Sequence, residues 1–400
     1  MSDISSLSVP PRSERIDQLV GRHAERLTER LKAHRDQLLE QAPRKRLRKF
    51  TSGEAAQFLG VGDAYLRKLH LEGRGPSPEI RAGGRRYYSA EEIAELRVEL
   101  ERHTKQPGSY LPGRRPGDHL QVITVVNFKG GSGKTTTAAH LAQKLALDGY
   151  RVLAIDLDPQ ASFSALHGFQ PEFHLLGGGT LYDAIRYEEP VPLREVIRPS
   201  GIPGLDIVPG NLELMEFEHE TPRALAGRDG QFFFTRIGET LSEVEVEYDV
   251  VVIDCPPQLG FLTMSALSAA TAVLVTVHPQ MLDVMSMCQF LLMTSNLLSV
   301  VAEAGGDMGH DWLRYVVTRF EPGDGPQAQM VEFMRSLFGE HVLANPMLKS
   351  TAISDAGITN QTLYEVEKNQ FTRATYDRAI ESINAVNAEI ESLIQTAWGR

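Results

Sequence analysis

Cysteine is nearly missing from this 400-residue chain, which has only Cys255 and Cys288. Their placement matches no metal-ligand or redox spacing, and a chain of this length can bury a core without disulfides. Cys255 follows an apolar run and reads as a small buried side chain. The opening residues, MSDISSLSVPPRSER, lack the apolar stretch of a secretion signal. No run reads as long and apolar enough to cross a bilayer, and no internal repeat is visible. A cytoplasmic protein without a membrane partner is expected. What is present is ordinary for a soluble globular chain, 42% hydrophobic and 23% charged, and the length predicts two or three domains.

The net charge of −11 hides an asymmetry. Residues 1–118 hold 23 Lys/Arg against 17 Asp/Glu, whereas the remainder holds 18 against 35. A basic front on an acidic protein points to a nucleic-acid partner for that front alone.

Residues 14–40 place Ile16, Leu19, Val20, Leu27, Leu31 and Leu38 at helical spacing among charges, which predicts one long helix with a thin apolar stripe. Such a stripe needs a partner helix, from the same chain or a second copy. A basic run, RKRLRK, covers 44–49, and KQPGSYLPGRRPGD at 105–118 reads as a linker. The expected division is a dimerisation helix at 1–45, a DNA-binding domain at 46–104, a linker at 105–118 and a large domain at 119–400. In that large domain the runs LQVITVV (120–126), RVLAID (151–156), DVVVID (249–254), AVLVTV (272–277) and RYVV (314–317) alternate with helical stretches. Apolar runs without polar alternation predict strands buried on both faces, hence an α/β fold with a parallel sheet flanked by helices. Residues 374–397 read as a last helix. Residues 160–245, including Phe232-Phe233-Phe234, give no clear pattern.

The sharpest signal is NFKGGSGKTT at 127–136, between a predicted strand and a predicted helix, which is the context of a P-loop. Gly130, Gly131 and Gly133 let backbone N–H groups around Ser132 turn toward a phosphate. The helix opening near Lys134 adds its positive end to the loop, Thr136 included. Lys134 can bridge β- and γ-phosphates, and the Thr135 hydroxyl suits Mg²⁺. DLDPQ at 156–160 and DCPP at 254–257 end strands, where open parallel sheets place their ligands. Asp254 fits the acid that holds the Mg²⁺ water shell, and Asp158 fits the orientation of an attacking water.

KGGSGKTT carries an additional lysine, Lys129. With DLDPQ and DVVVIDCPPQLG it resembles the deviant Walker A ATPases of the ParA/MinD superfamily, over roughly residues 119–400. The resemblance implies an ATPase using ATP and Mg²⁺, with Lys129, Lys134 and Asp158 as its catalytic residues. It implies that Lys129 crosses a homodimer interface to the partner's nucleotide, which supplies charge to the γ-oxygens and couples hydrolysis to dimerisation. It further implies an adenine-contacting segment at Thr318-Arg319-Phe320, hence Arg319 among the nucleotide ligands. The nitrogenase iron-protein branch needs cluster cysteines that this chain lacks. The membrane-helix branch needs a basic amphipathic C-terminus, and residues 385–400 carry Glu389, Glu391 and a single basic residue, Arg400.

Residues 51–61 (TSGEAAQFLGV) and 63–71 (DAYLRKLHL) read as two short helices joined by a Gly turn, a helix-turn-helix. The second helix would offer Tyr65, Arg67, Lys68 and His70 to a major groove. RAGGRRYY at 81–88 reads as a β-wing whose Arg85 and Arg86 suit phosphate or minor-groove contact. Ser89 and Glu92 form a capping box for the next helix. The stretch resembles MerR-like winged helices. Helix, winged helix and ATPase in that order resemble the large plasmid-partition ATPases, most of all the RepA group of repABC-type replicons. That resemblance implies ATP-dependent binding to nucleoid DNA, a ParB/RepB-like centromere-binding partner that stimulates hydrolysis, and operator binding that represses the protein's own operon. By family position Lys349 and Arg373, with Arg378 nearby, are the candidate contacts to non-specific DNA. The alternative is a nucleotide-sensing transcriptional repressor with no transport role.

Overall fold

The computed structural model describes residues 15–39, 45–170, 179–227 and 232–400. The chain forms two compact units, Met1–Arg44 and Lys45–Arg400. The described residues of the first form a helix, Ile16–Leu39, close to the predicted 14–40, with Ile16, Val20 and Leu27 exposed. The side chains of Leu31 and Leu38, and Arg44 of the basic run, lie outside the described residues.

The second unit opens with a winged helix. Strand β1 (Phe50–Thr51) leads into helix Ser52–Phe58, which starts on a capping box between Thr51 and Glu54. Gly60, at φ 64°, makes the turn into helix Asp63–Leu71. Strands β2 (Glu79–Arg81) and β3 (Arg85–Tyr88) form the wing, in the sheet order β1-β3-β2. Helix Ala90–His103 then starts on the Ser89–Glu92 capping box. Phe50, Leu66, Leu69, Tyr88 and Ile93 close the core of this part.

The main sheet comprises β4 (Gln121–Val126), β5 (Val152–Asp156), β6 (Arg198–Ile202), β7 (Leu205–Val208), β8 (Val250–Asp254), β9 (Ala272–Val277) and β10 (Trp312–Val317). Their order is β10-β9-β4-β8-β5-β7-β6, parallel except that β6 pairs antiparallel with β7. Every residue of β4, β5, β8 and β9 is buried, as strands covered on both faces should be. Side chains alternate between two apolar layers. Ile123 and Val125 face helices Lys134–Leu147 and Arg373–Ala397, while Val122 and Val126 face the layer containing helices Phe261–Ala269 and Met281–Glu303. The β6–β7 hairpin lies in the stretch that showed no pattern. Pro199 and Gly201 interrupt β6, which only an edge strand tolerates.

Helix Met281–Glu303 corrects one expectation. It is long and apolar enough to cross a membrane by length and composition, because no charge stands between Asp283 and Glu303. One stripe of it, including Met287, Phe290 and Val301, packs on the sheet layer, and Phe290 stacks on Phe128.

The winged helix shares its core with the P-loop-helix face of the large domain. Part of the basic run is consumed in this union. The Lys45 ammonium meets Glu365 at 3.0 Å, and the buried Arg48 bonds Glu54 at 2.6 Å and the Tyr376 hydroxyl at 3.1 Å. Arg97, also buried, donates to the Leu147 carbonyl at 2.8 Å. The stretch 105–118 is fastened down: Glu101 accepts from the Tyr110 and Leu111 N–H groups, and Asp249 accepts from that of Arg114.

Candidate functional site: a phosphate loop and its carboxylates

The loop between β4 and helix Lys134–Leu147 is held in shape from below. Gly131 (φ 76°) and Gly133 (φ 89°) adopt left-handed conformations that a side chain would strain. Asn127 spans the base, donating from its amide to the Thr276 carbonyl and accepting from the Lys129 N–H at 3.0 Å. The Thr276 hydroxyl donates to the Ser132 hydroxyl at 2.9 Å, and Thr318 donates to the Ser132 carbonyl at 2.7 Å. Ser132 is therefore buried by its side chain, leaving its backbone N–H as the group it can offer. Arg319 closes the far side, its guanidinium 3.1 Å from the Gly131 carbonyl. Loops braced this way lose little entropy when an anion arrives.

A cleft of about 470 Å³ opens over the loop. Gly130, Gly131, Gly133, Lys134, Thr135, Thr136, Asp158 and Arg319 line it, together with residues between Met347 and Gly357 that include Lys349. Lys134 is buried, and burial lowers its pKa, while Asp254, Cys255 and Asp158 pull the other way.

Three carboxylates stand at the strand ends. Asp156 and Asp254 are register partners on β5 and β8. Asp156 accepts from the Ser164 N–H and hydroxyl and from the Asp158 N–H, so it shapes the turn that carries Asp158. Burial, despite these bonds, pushes its pKa up to about 7. Asp158 is raised by burial against a bond from the Gln160 N–H and the charge of Lys134. Asp254 is fully buried, and neither carboxylate oxygen has a hydrogen-bond partner. Burial and the neighbouring Asp156 raise its pKa well above the ordinary value, with Thr135 and Lys134 opposing.

An orphaned carboxylate beside a threonine hydroxyl at the foot of a phosphate loop fits a hard cation. Among the described residues no group of three or more His, Cys, Asp or Glu could hold a metal ion. Mg²⁺ does not need one, since it binds through one or two protein oxygens, phosphate oxygens and water.

Lys129 points elsewhere. Its ammonium lies 2.5 Å from Asp283, a buried acid in the first turn of helix Met281–Glu303 that also faces His278 at 3.6 Å. Sequence reasoning quoted Asn127 and Asp156 inside their motifs without a role of their own, and it did not single out Thr276 or Asp283. Thr276 lies on the neighbouring strand β9 and Asp283 in the first turn of the helix that follows it, so both reach the loop only through the tertiary fold.

Helix Asp63–Leu71 buries Leu66 and Leu69 and exposes Tyr65, Arg67 and Lys68, while His70 is half-buried. Lys68 stands 3.6 Å from Glu72. On the wing Arg85 is exposed, whereas Arg86 is half-buried with its Nε unpartnered. Lys349 pairs with Glu321 at 2.8 Å, and Arg373 with Asp377 at 3.2 Å. Lys349 and Arg378 line one groove.

The family model of an AAA domain matches residues 120–302, and that of a MerR family regulatory protein matches residues 51–88. A curated protein of Sinorhizobium fredii named for replication protein A is 60% identical over 362 residues, 89% of this chain and 88% of that protein. The chromosome partitioning protein ParA of Myxococcus xanthus is 30% identical over 59% of this chain and 77% of its own length. Among solved structures, one titled as a partition protein covers 95% of this chain and 99% of its own at TM-score 0.61 and 18% identity, a likeness of fold. The cobyrinic acid a,c-diamide synthase of Mycobacterium smegmatis, solved with an ATP analogue and magnesium, is 26% identical over 60% of this chain and 91% of its own, at TM-score 0.51.

Proposed function

Because the chain belongs to the ParA-type partition ATPases, in the group that carries an N-terminal helix-turn-helix domain, we propose that it segregates replicons by an ATP-gated grip on DNA. It is an ATPase, and ATP and Mg²⁺ are its ligands. When bound, Mg²⁺ neutralises charge on the β- and γ-phosphate oxygens, and Thr135 and Asp254 are the residues that would hold it. The backbone of Gly130–Gly133 cradles the phosphates, and the Lys134 ammonium bonds their oxygens. Asp158 accepts a hydrogen bond from the attacking water and orients it. Arg319 closes the cleft beside the adenosine. Lys129 leaves Asp283 and reaches the nucleotide of a second copy, so hydrolysis follows dimerisation.

In the closed homodimer Lys349 and Arg373 contact DNA phosphates without regard to sequence. Tyr65, Arg67, Lys68 and His70, with Arg85 and Arg86 of the wing, bind the operator of the chain's own operon. A ParB/RepB-like centromere-binding protein stimulates hydrolysis and so releases DNA. The protein works in the cytoplasm, associated with the nucleoid. One observation supports this reading: Lys349 lines both the cleft over the P-loop and a neighbouring groove with Arg378, so one segment borders the two.

The test is binding to a random-sequence duplex with ATP, ADP or no nucleotide, repeated with Lys134→Ala. ATP-dependent, salt-sensitive binding that Lys134→Ala abolishes is expected. Binding indifferent to nucleotide refutes the cycle and favours the second reading, a nucleotide-sensing repressor. That reading draws on the exposed recognition-helix residues and the core shared by winged helix and ATPase. Asp158→Ala separates the two, since a pure repressor would keep both repression and replicon maintenance.

A further inference from the structure

Two residues beyond Arg319, the chain reaches Glu321, whose carboxylate holds the Lys349 ammonium at 2.8 Å. Both side chains are about half exposed, 44% for Glu321 and 53% for Lys349, so an outside anion can compete for the lysine. The backbones of the two segments are laced together. The Phe320 N–H donates to the Met347 carbonyl at 3.0 Å, and the Lys349 N–H to the Phe320 carbonyl at 3.0 Å. Arg319 itself sits at φ 53°, a left-handed conformation costly for a side chain, while its guanidinium grips the phosphate loop. A short ladder therefore runs from the phosphate loop to the lysine. A carboxylate on an ammonium also occupies the place a phosphate oxygen would take.

We propose that Glu321 is a positioning residue that holds Lys349 as an internal stand-in for a DNA phosphate, and that nucleotide releases Lys349 by drawing Arg319 off the Gly131 carbonyl. The proposal rests on the reading of Lys349 as a DNA contact. Glu321 is ionised and ready for this role, because the bond from Lys349 keeps its pKa low. With the pair closed, the Lys349 ammonium keeps its charge, but the Glu321 carboxylate beside it offsets part of its pull on a phosphate. With the pair open, it adds one phosphate contact, and the log of affinity falls more steeply with log salt by about 0.9.

The experiment measures full-length protein on a random-sequence duplex across a salt series, with ATP and without nucleotide. The proteins are wild type, Glu321→Gln, Lys349→Gln, the double variant, and Glu340→Gln as an exposed acid elsewhere. Glu321→Gln is expected to raise nucleotide-free affinity about threefold to tenfold, to steepen the salt slope by about 0.9, and to change the ATP state little. The double variant should show no gain. A nucleotide-free affinity unmoved by Glu321→Gln overturns the proposal. So does a gain that is equal with ATP, that survives in the double variant, or that Glu340→Gln reproduces. If Lys349→Gln leaves ATP-state binding intact, the underlying reading of Lys349 falls as well, and the two failures remain distinct.

Discussion

Replacing Asp254 by Asn should make the nucleotide-free protein more stable and the loaded protein less responsive. Asp254 is fully buried, and both of its oxygens lack a hydrogen-bond partner. An uncompensated buried charge costs several kcal/mol even after relaxation, and Lys134 offsets only part of it here. An unsatisfied buried amide costs about 1–3 kcal/mol. The difference leaves about 2 kcal/mol in favour of Asn, a Tm rise of about 3 °C for a unit of this size. The pH dependence follows from the raised folded-state pKa. Below the unfolded value of 3.8 the acid is protonated in both states and imposes no charge penalty. As pH climbs toward the folded value, the unfolded chain gives up its proton first, and wild type loses stability that the variant keeps. Nucleotide should act the other way. A ligand at a hundred times its Kd stabilises wild type by about 2.7 kcal/mol, and the variant should lose most of the Mg²⁺-dependent share. Thermal melts at pH 4 and pH 8, with and without Mg·ATP, test all of this. A variant that melts lower than wild type without nucleotide at pH 8, or that keeps the full Mg·ATP shift, refutes the reasoning.

Three further outcomes are expected. Glu54, half-buried but bonded by Arg48 and Lys368 strongly enough to outweigh desolvation, has its pKa lowered to about 2 from 4.5. The stability it contributes, about 3 kcal/mol, is present above pH 4.5 and lost as pH falls toward 2. Arg48→Met should remove that acid limb and loosen the winged helix, seen as faster amide exchange across residues 50–103, and unchanged exchange refutes it. Asp283→Asn frees Lys129 and should lower the ATP concentration for half-maximal dimerisation by about two- to fivefold in sedimentation, given a half-exposed lysine. A higher requirement would show that Asp283 assists the closed dimer. Lys68→Ala should weaken operator binding while leaving ATP-dependent binding to random duplex unchanged, and an equal loss on both would deny the winged helix its own DNA site.

The parallel sheet was legible because its central strands are uninterrupted apolar runs, and AVLVTV matches β9 residue for residue. The P-loop was legible because its chemistry is local. Gly131, Gly133, Lys134 and Thr135 act within five positions, and the cleft follows. The winged helix was legible through its Ser89–Glu92 capping box, its Gly turn and its Gly-Gly tip. The β6–β7 hairpin was not, since RPSGI lacks both strand propensity and alternation and depends on pairing with β7. Nor did the apolar run after Asp283 register as a membrane-length helix, because Ser, Thr, Gln and Asn interrupt it. Thr276 and Asp283 brace the loop or its lysine from β9 and the helix after it, and only the tertiary fold brings them there. The basic run RKRLRK gives the clearest lesson. Composition marks it only as a basic run, whereas in the fold Leu47 and Arg48 are buried and Lys45 and Arg48 answer acids of the same unit. Net charge counts residues and says nothing about their partners.

Those partners separate two kinds of cation around the nucleotide cleft. Lys134 is buried and flanked by carboxylates, so its work lies inside the protomer and its position is settled before nucleotide arrives. Lys129 and Lys349 are about half exposed, and on the proposed reading each acts on something outside the protomer, a second nucleotide or a DNA phosphate. Each is instead held by one acid, Asp283 or Glu321. Pairs this exposed are worth about 1 kcal/mol or less, too weak to block a correct contact and sufficient to suppress a casual one. A charge attracts any counterion within about 8 Å at physiological salt, so an unpaired lysine at the rim would meet DNA in every nucleotide state. Pairing it internally makes the contact conditional on a change that only nucleotide or a second copy supplies. The specificity of such an ATPase in time, when it holds and when it lets go, would then reside less in the strength of its external contacts than in the weak internal ones that they must replace.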